Sequence, residues 1–97
     1  MNLTSKQRAY LKSKAQVMEP ILQIGKSSVT TELISSVSEA IEKRELIKLH
    51  ILQNCLDDPK EIANTIAERT QSTVVQIIGK KIVLYKPFKE KQKIILP

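Results

Sequence analysis

Three stretches of the chain repeat apolar residues at the spacing of an amphipathic helix. The first predicted helix runs from about Ser5 to Val17, the second from about Thr31 to Lys43, and the third from Pro59 to about Arg69. Glu19-Pro20 ends the first helical segment, because a residue before proline is pushed away from helical dihedrals. The pattern therefore predicts three helices that each bury one face.

Polar residues mark where these helices begin. Thr4 stands three residues before Gln7, as in a capping box, and Thr30 is a good N-cap for the second helix. Asp58 can cap the third helix, with Glu61 completing a second capping box. The starts of all three helices are thus predicted locally.

Four apolar or β-branched runs predict strands at Ile21–Ile24, Leu46–Leu52, Thr73–Ile78 and Lys81–Tyr85. Gly79-Lys80 predicts a two-residue hairpin turn of type II′ between the last two. The order α-β-α-β-α-β-β indicates an α/β fold with a mixed four-stranded sheet, parallel where a helix intervenes and antiparallel at the hairpin. No repeat or linker divides residues 1–97, so we expect one domain of two layers with the first helix added.

The run Leu46–Leu52 alternates in character. Ile47, Leu49 and Ile51 share one face of the predicted strand, whereas Lys48 and His50 lie on the other. A half-polar face on an otherwise buried strand predicts an open side of the sheet that could serve as a binding surface.

The C-terminal segment gives a weaker signal. Pro87 stops the last strand, and a lysine-rich stretch then leads to Ile94–Pro97. We expect this whole lysine-rich tail, which ends in Ile94–Pro97, to form an edge strand or to be loosely held.

Charge is distributed unevenly along the chain. The net charge is +6, with +4 in residues 1–26, −3 in residues 27–79 and +5 in residues 80–97. Two basic ends around an acidic middle favour a polyanionic partner, with nucleic acid first and an anionic membrane surface second. No run approaches the roughly 18 apolar residues of a membrane span, and the first twenty residues lack a signal-like apolar region, so we expect a soluble, cytoplasmic protein.

The sequence offers little for catalysis or metal binding. Cys55 and His50 are single residues of their type, so neither a disulfide nor a Cys/His zinc site is expected, and both are interpreted as structural. No Ser/His/Asp order is evident, and Asp57-Asp58 suits a helix cap better than a catalytic pair. We expect no enzyme activity, no cofactor and no small-molecule substrate.

A polar loop, Gly25–Ser28, joins the first predicted strand to the second helix. A strand, a tight loop and a helix start can present backbone N–H groups to an anion, so a phosphate site is expected here. The loop resembles a nucleotide-binding P-loop, but that motif needs a glycine where Pro20 stands. The other alternative is a plain turn with a solvated Lys26, which the loop alone would favour.

Four ungapped blocks carry a family resemblance: Leu3–Leu11, the strand, loop and helix around Gly25, Glu45–Leu49, and Val75–Pro87. They resemble the bacterial YhbY family of single CRM (chloroplast RNA splicing and ribosome maturation) domains. The resemblance covers nearly the whole chain in the right order. It implies a small RNA-binding domain, similar in fold to the C-terminal domain of bacterial translation initiation factor three, that associates with precursors of the large ribosomal subunit.

The RNA-facing loop of that family is a G-x-x-G turn similar to the backbone-clamping loop of KH domains. This chain has Gly25 at the first position and Ser28 in place of the second glycine. Serine adopts a positive φ at greater cost than glycine, but its hydroxyl can donate to a phosphate oxygen.

Together, the charge distribution and the family resemblance predict that the protein binds ribosomal RNA without catalysis. We expect it to be a monomer. The alternative is a protein-interaction domain that docks on ribosomal proteins or assembly factors. Aromatic residues are scarce, so recognition should depend on backbone and shape more than on base stacking. The predicted contacts are the loop residues Gly25, Lys26, Ser27 and Ser28, the helix residues Lys6, Arg8 and Lys12, and the hairpin residues Lys80, Lys81 and Lys86.

Overall fold

The structure is a computed structural model that describes residues 1–97. Its elements confirm the predicted order α-β-α-β-α-β-β, and every bound lies within one residue of its predicted position. The elements are α1 (Ser5–Gln16), β1 (Leu22–Ile24), α2 (Thr31–Arg44), β2 (Leu46–Ile51), α3 (Pro59–Thr70), β3 (Thr73–Ile78) and β4 (Lys81–Tyr85).

The four strands form one mixed sheet in the order β1-β2-β4-β3, as the alternating pattern predicted. β1 is parallel to β2, and α2 is the crossover between them. β4 is antiparallel to both β2 and β3, so it lies in the middle of the sheet. Ile78 pairs with Lys81, which leaves Gly79-Lys80 as a two-residue turn, and only Gly79 takes a positive φ (57°), as the predicted type II′ turn requires.

α2 and α3 pack on one face of the sheet around the larger hydrophobic cluster. The β2 residues Ile47, Leu49 and Ile51 all belong to this cluster, which confirms their predicted common face. α3 buries one face, as predicted, and the buried residues are Ile62, Ala63, Ile66, Ala67 and Thr70. This face supplies the two-layer unit that the sequence predicted.

α1 packs on the opposite face of the sheet, around a second and smaller cluster. Leu11 and Ala15 of α1 contact a patch formed by Leu46, Val83 and Tyr85. α1 therefore covers only one half of this face, the half at the beginning of β2 and the end of β4. The prediction of an open sheet side is correct for the other half only.

The open half of this face includes the polar positions of β2. Lys48 and His50 are both half-buried there, and His50 lies opposite Lys81 of β4. The ammonium of Lys48 donates to the carbonyl of Met18 at 3.1 Å, which fixes the chain after α1 against the sheet.

The helix caps agree with the sequence except at α3. The side chains of Thr4 and Gln7 form the predicted reciprocal capping box at α1. At α3, Oδ1 of Asp58 accepts from the N–H of Lys60 at 3.3 Å rather than from that of Glu61. The predicted second capping box was therefore wrong, because the Asp58 carboxylate satisfies the N–H group one position earlier.

The C-terminal segment is neither an edge strand nor loosely held, so that prediction was wrong. A fully buried Glu45 at the end of α2 accepts from the N–H of Phe88 at 3.0 Å and from the N–H of Ile94 at 2.7 Å. Ile94 and Leu96 then pack against the cluster under α1. A charge-assisted pair of hydrogen bonds and an apolar contact together hold the segment in place.

The Tyr85 hydroxyl is the one buried side-chain oxygen without a hydrogen-bond partner. Burial, with a smaller contribution from the Glu45 carboxylate, raises the pKa of Tyr85 above its ordinary value of 10.0. We expect Tyr85→Phe to leave the free energy of unfolding at neutral pH unchanged or to raise it by up to about 1 kcal/mol, because it removes an unpaired polar atom without creating a cavity.

The same substitution should change the alkaline stability profile. Above about pH 10 the unfolded chain releases the Tyr85 proton while the folded protein keeps it, so the unfolding free energy of the wild type falls as pH rises. Tyr85→Phe should remove this contribution, and urea denaturation of both proteins from about pH 8 to about pH 11 measures the difference. Parallel profiles would show that Tyr85 ionises equally in both states.

Candidate nucleic-acid interface

The loop Gly25–Ser28 is a closed turn at the C-terminal end of β1. The N–H of Ser28 donates to the carbonyl of Gly25 at 2.9 Å, while Lys26 and Ser27 are exposed at the tip. The Thr30 hydroxyl accepts from the N–H of Leu33 at 3.0 Å and so caps α2, as predicted. The turn is therefore held at both ends and presents two polar side chains to solvent.

Ser28 adopts a left-handed backbone conformation with a φ of 56°. The similar family has its second glycine at this position. The turn therefore has the left-handed conformation that glycine adopts easily, and a serine in this conformation is sterically strained.

We expect Ser28→Gly to raise the free energy of unfolding by roughly 0.5–1 kcal/mol, because glycine takes a positive φ without the steric penalty. Ser27→Gly is the matched control, since Ser27 has no positive φ and should gain nothing. Urea denaturation measures the stability, and RNA titration shows whether the Ser28 hydroxyl is a contact: unchanged affinity excludes it, and a clear loss establishes it. Equal stability changes in the two variants would contradict the strain at Ser28.

The backbone conformation does not explain the glycine at position 25, because the φ of Gly25 is not positive. A Cβ placed on Gly25 would meet nothing closer than Oδ1 of Asn54 at 3.9 Å, an ordinary contact. The fold itself therefore does not require glycine here. Because Gly25 has no side chain, a ligand can approach the backbone of the turn closely.

The loop lies at the same edge of the sheet as the β3–β4 hairpin turn. The N–H of Leu52 donates to the carbonyl of Ile24 at 2.9 Å, and the N–H of Ile51 donates to the carbonyl of Lys80 at 2.7 Å. The end of β2 is thus bonded to the last residue of β1, which the loop follows, and to Lys80 of the hairpin turn. Two strand spacings, about 10 Å, separate β1 from β4. Lys80 and Lys81 are exposed, and the ion pairs of the protein lie elsewhere.

We call the loop Gly25–Ser28 together with Lys80 and Lys81 the basic edge. It combines three unpaired cations with a turn of exposed backbone, an arrangement suited to anionic oxygens. On the α3 side, Asp57 and Glu61 border Ser27 and Ser28. These carboxylates disfavour a phosphate on that side, so an anion would approach the basic edge from the side away from α3.

One cation of α1, Lys12, extends this surface. Lys6 and Lys12 are exposed, and Lys12 lines a groove between α1 and the open half of the sheet. Lys81 lies on this same face of the sheet, because it alternates with the buried Ile82. The structure thus brings Lys12 and the hairpin lysines to one side of the molecule.

Arg8 and Lys86 are occupied within the protein. Nη1 of Arg8 donates to the carbonyls of Val74 and Val75 at 2.8 and 2.7 Å, where β3 has a bulge, and so ties α1 to the sheet. Lys86 forms an ion pair with Glu42 at 2.6 Å, and its hydrogen bond and charge hold the pKa of that carboxyl below its usual value of 4.5. The ion pair takes Lys86 out of the proposed RNA contacts, whereas the half-buried Arg8 keeps its positive charge but is anchored to β3 and does not extend into solvent.

Lys48 and Gln76, which were not among the predicted contact residues, line the groove beside Lys12. The alternation in β2 did place Lys48 on a polar face, but nothing in the sequence showed that Gln76 of β3 lies on that face too. Cys55 is buried in the larger cluster, as its structural interpretation predicted. No helix is long and apolar enough to span a membrane, and no group of three or more potential ligands is arranged for a metal ion.

The element order and the mixed sheet β1-β2-β4-β3 define a small α/β fold. Residues 3–86 match the family described as the CRS1/YhbY (CRM) domain, and the chain belongs to it. This confirms the resemblance drawn from the sequence.

Three relatives match this chain over nearly the whole of both sequences. The chain is 46% identical over 95 residues to the "Probable RNA-binding protein YqeI" of Bacillus subtilis, covering 98% of this chain and 99% of that protein. It is 33% identical over 95 residues to the "RNA-binding protein" of Haemophilus influenzae, covering 98% and 95%. A Staphylococcus aureus protein, whose solution structure was described with a suggested role in RNA binding, shares 48% identity at a TM-score of 0.84, covering 99% of this chain and 100% of that one.

Proposed function

We propose that this chain is a noncatalytic RNA-binding protein that associates with precursors of the large ribosomal subunit and assists their assembly. The observation that carries the proposal is the basic edge, where Lys26 in one turn and Lys80 and Lys81 at the neighbouring hairpin are exposed and have no carboxylate partners. The names of the relatives support RNA as the ligand. The ribosomal target rests on the family resemblance, and binding it places the protein in the cytoplasm.

The basic edge would bind the sugar-phosphate backbone. Lys26, Lys80 and Lys81 neutralise phosphates that approach from the side away from Asp57 and Glu61. Gly25 lets the backbone of the RNA approach the turn closely. Lys6 and Lys12 continue the positive surface along α1. Such contacts position an RNA by shape and charge and carry little sequence information.

Crosslinking in cells tests the target directly. Ultraviolet crosslinking, with mapping of the crosslinked nucleotides, should recover large-subunit ribosomal RNA from precursor particles. Crosslinks spread over all RNAs in proportion to their abundance would refute the ribosomal target, and an absence of crosslinks would refute RNA binding as well.

A protein-docking function predicts a different result. Replacing Lys6, Lys26 and Lys81 by Gln should weaken binding to naked ribosomal RNA if the chain contacts RNA directly. If binding to ribosomal particles and to naked RNA is unchanged, a protein partner is favoured instead. The folded state is not at risk, since all three side chains are exposed and none forms an ion pair.

A further inference from the structure

A groove between α1 and the open half of the sheet lies beside the basic edge. It has a volume of about 520 Å³, within the usual range for small-molecule sites. Its α1 wall carries Ala9, Lys12 and Gln16, and its sheet wall carries Lys48, Gln76 and Ile78. Because Ile78 lies directly opposite Lys81 in the β3–β4 pair, the groove opens onto the basic edge.

The apolar part of the groove is formed by Ile78 and α1. Ile78 is 58% exposed, although the other apolar residues of β3 are buried or half-buried. Across the groove, Ala9 adds only a methyl group, which leaves the space above Ile78 open. An exposed apolar wall of this kind gains free energy when a flat apolar ligand covers it.

The polar groups of the groove are free to bind a ligand. The Gln76 side chain is half-buried, and no hydrogen bond within the protein occupies its amide. Lys48 has no carboxylate partner, and only one of the donors on its ammonium is used, toward the carbonyl of Met18. That bond fixes the position of the cation, so a ligand oxygen would meet a donor that is already ordered.

Building on the proposed function, we propose that this groove receives one unpaired nucleotide of the bound RNA. A base covers the Ile78 wall with its face, and the Gln76 amide, which both donates and accepts, bonds to its edge. Lys12 and Lys48 on opposite walls neutralise the phosphates on either side of that nucleotide. Because the groove is continuous with the basic edge, single-stranded RNA bound at the basic edge can extend into the groove.

This assignment names the kind of RNA that the protein prefers. An unbroken duplex keeps its bases stacked inside and cannot fill the groove, whereas a bulge or loop can. An amide reads many base edges equally well, and the groove has no aromatic side chain, so it selects for an unpaired nucleotide more than for its identity.

Two RNA hairpins test the proposal: one fully paired, and one with a single extra 2-aminopurine nucleotide bulged from the same stem. We expect the bulged hairpin to bind the wild-type protein about 10-fold more tightly, with a change in 2-aminopurine fluorescence on binding. Gln76→Leu, which keeps the size of the side chain, and Ala9→Phe, which fills the groove from an exposed helix position, should both abolish the preference. Affinity for the paired hairpin should stay the same.

Equal binding of the two hairpins by the wild type would overturn the proposal and leave the proposed function intact. A preference for the bulge that survives in both variants would also overturn it, since the nucleotide would then bind elsewhere. If neither hairpin binds, the proposed RNA-binding function itself fails.

Discussion

Reversing the three charges of the basic edge, by Lys26→Glu, Lys80→Glu and Lys81→Glu, is expected to lower RNA affinity by at least about 100-fold at near-physiological salt. Each substitution removes an attraction to a phosphate and replaces it with a repulsion, at about 1 kcal/mol or more per site. All three residues are exposed and none is ion-paired, so the fold should be preserved. Fluorescence anisotropy with a labelled ribosomal RNA fragment measures the affinity.

A second triple variant provides the matched control. Arg44→Glu, Lys60→Glu and Arg69→Glu change the net charge by the same amount, but these exposed residues without ion pairs lie on α2 and α3, behind the sheet. The control should retain most of the affinity. An equal loss in the two variants would show that binding depends on the net charge of the protein and would contradict a localised interface.

Glu45→Ala is expected to cause the largest loss of stability, roughly 2–5 kcal/mol of unfolding free energy. The Glu45 carboxylate is fully buried and satisfies two backbone N–H groups, those of Phe88 and Ile94. Its removal leaves both donors unpaired and frees the C-terminal segment. Urea denaturation measures the loss, and faster hydrogen exchange at Phe88 and Ile94 would locate it.

Two further variants separate the causes at this site. Glu45 has an unusual backbone conformation, with φ 64° and ψ −47°, so Glu45→Gly should be less destabilising than Glu45→Ala because glycine relieves this strain. Glu42→Ala removes an exposed carboxylate of the same helix and should cost much less. A Glu45→Ala protein as stable as the Glu42→Ala protein would refute the tethering role.

The elements of this fold were predictable because their signals are local. The Thr4–Gln7 capping box, the Thr30 cap and the alternation in β2 each depend on residues a few positions apart, and all three were found as expected. The place of β4 between β2 and β3 was not predictable in this way, because it depends on pairing between distant strands.

The site was predictable in part, for the same physical reason. The sequence identified Lys26 and Lys80 as candidate contacts, but only the long-range bonds of β2 bring their turns to one edge. Arg8 looked like a free cation because the β3 bulge that supplies its carbonyl partners lies 66 residues away. Lys86 likewise meets Glu42 across 44 residues of sequence. The charge of a residue can be read locally, whereas its hydrogen-bond and ion-pair partners depend on tertiary structure.

The salt dependence of RNA binding tests most directly whether the basic edge binds RNA through its phosphates. The log of the association constant, plotted against the log of salt concentration, should fall with a slope of about −3 to −5 if roughly four to six phosphates are neutralised. In the triple variant Lys26→Glu, Lys80→Glu and Lys81→Glu, the slope should be less steep by about two to three, because three of the contacting cations are gone. A slope near zero for the wild type, or the same slope for both proteins, would contradict an electrostatic RNA interface at the basic edge.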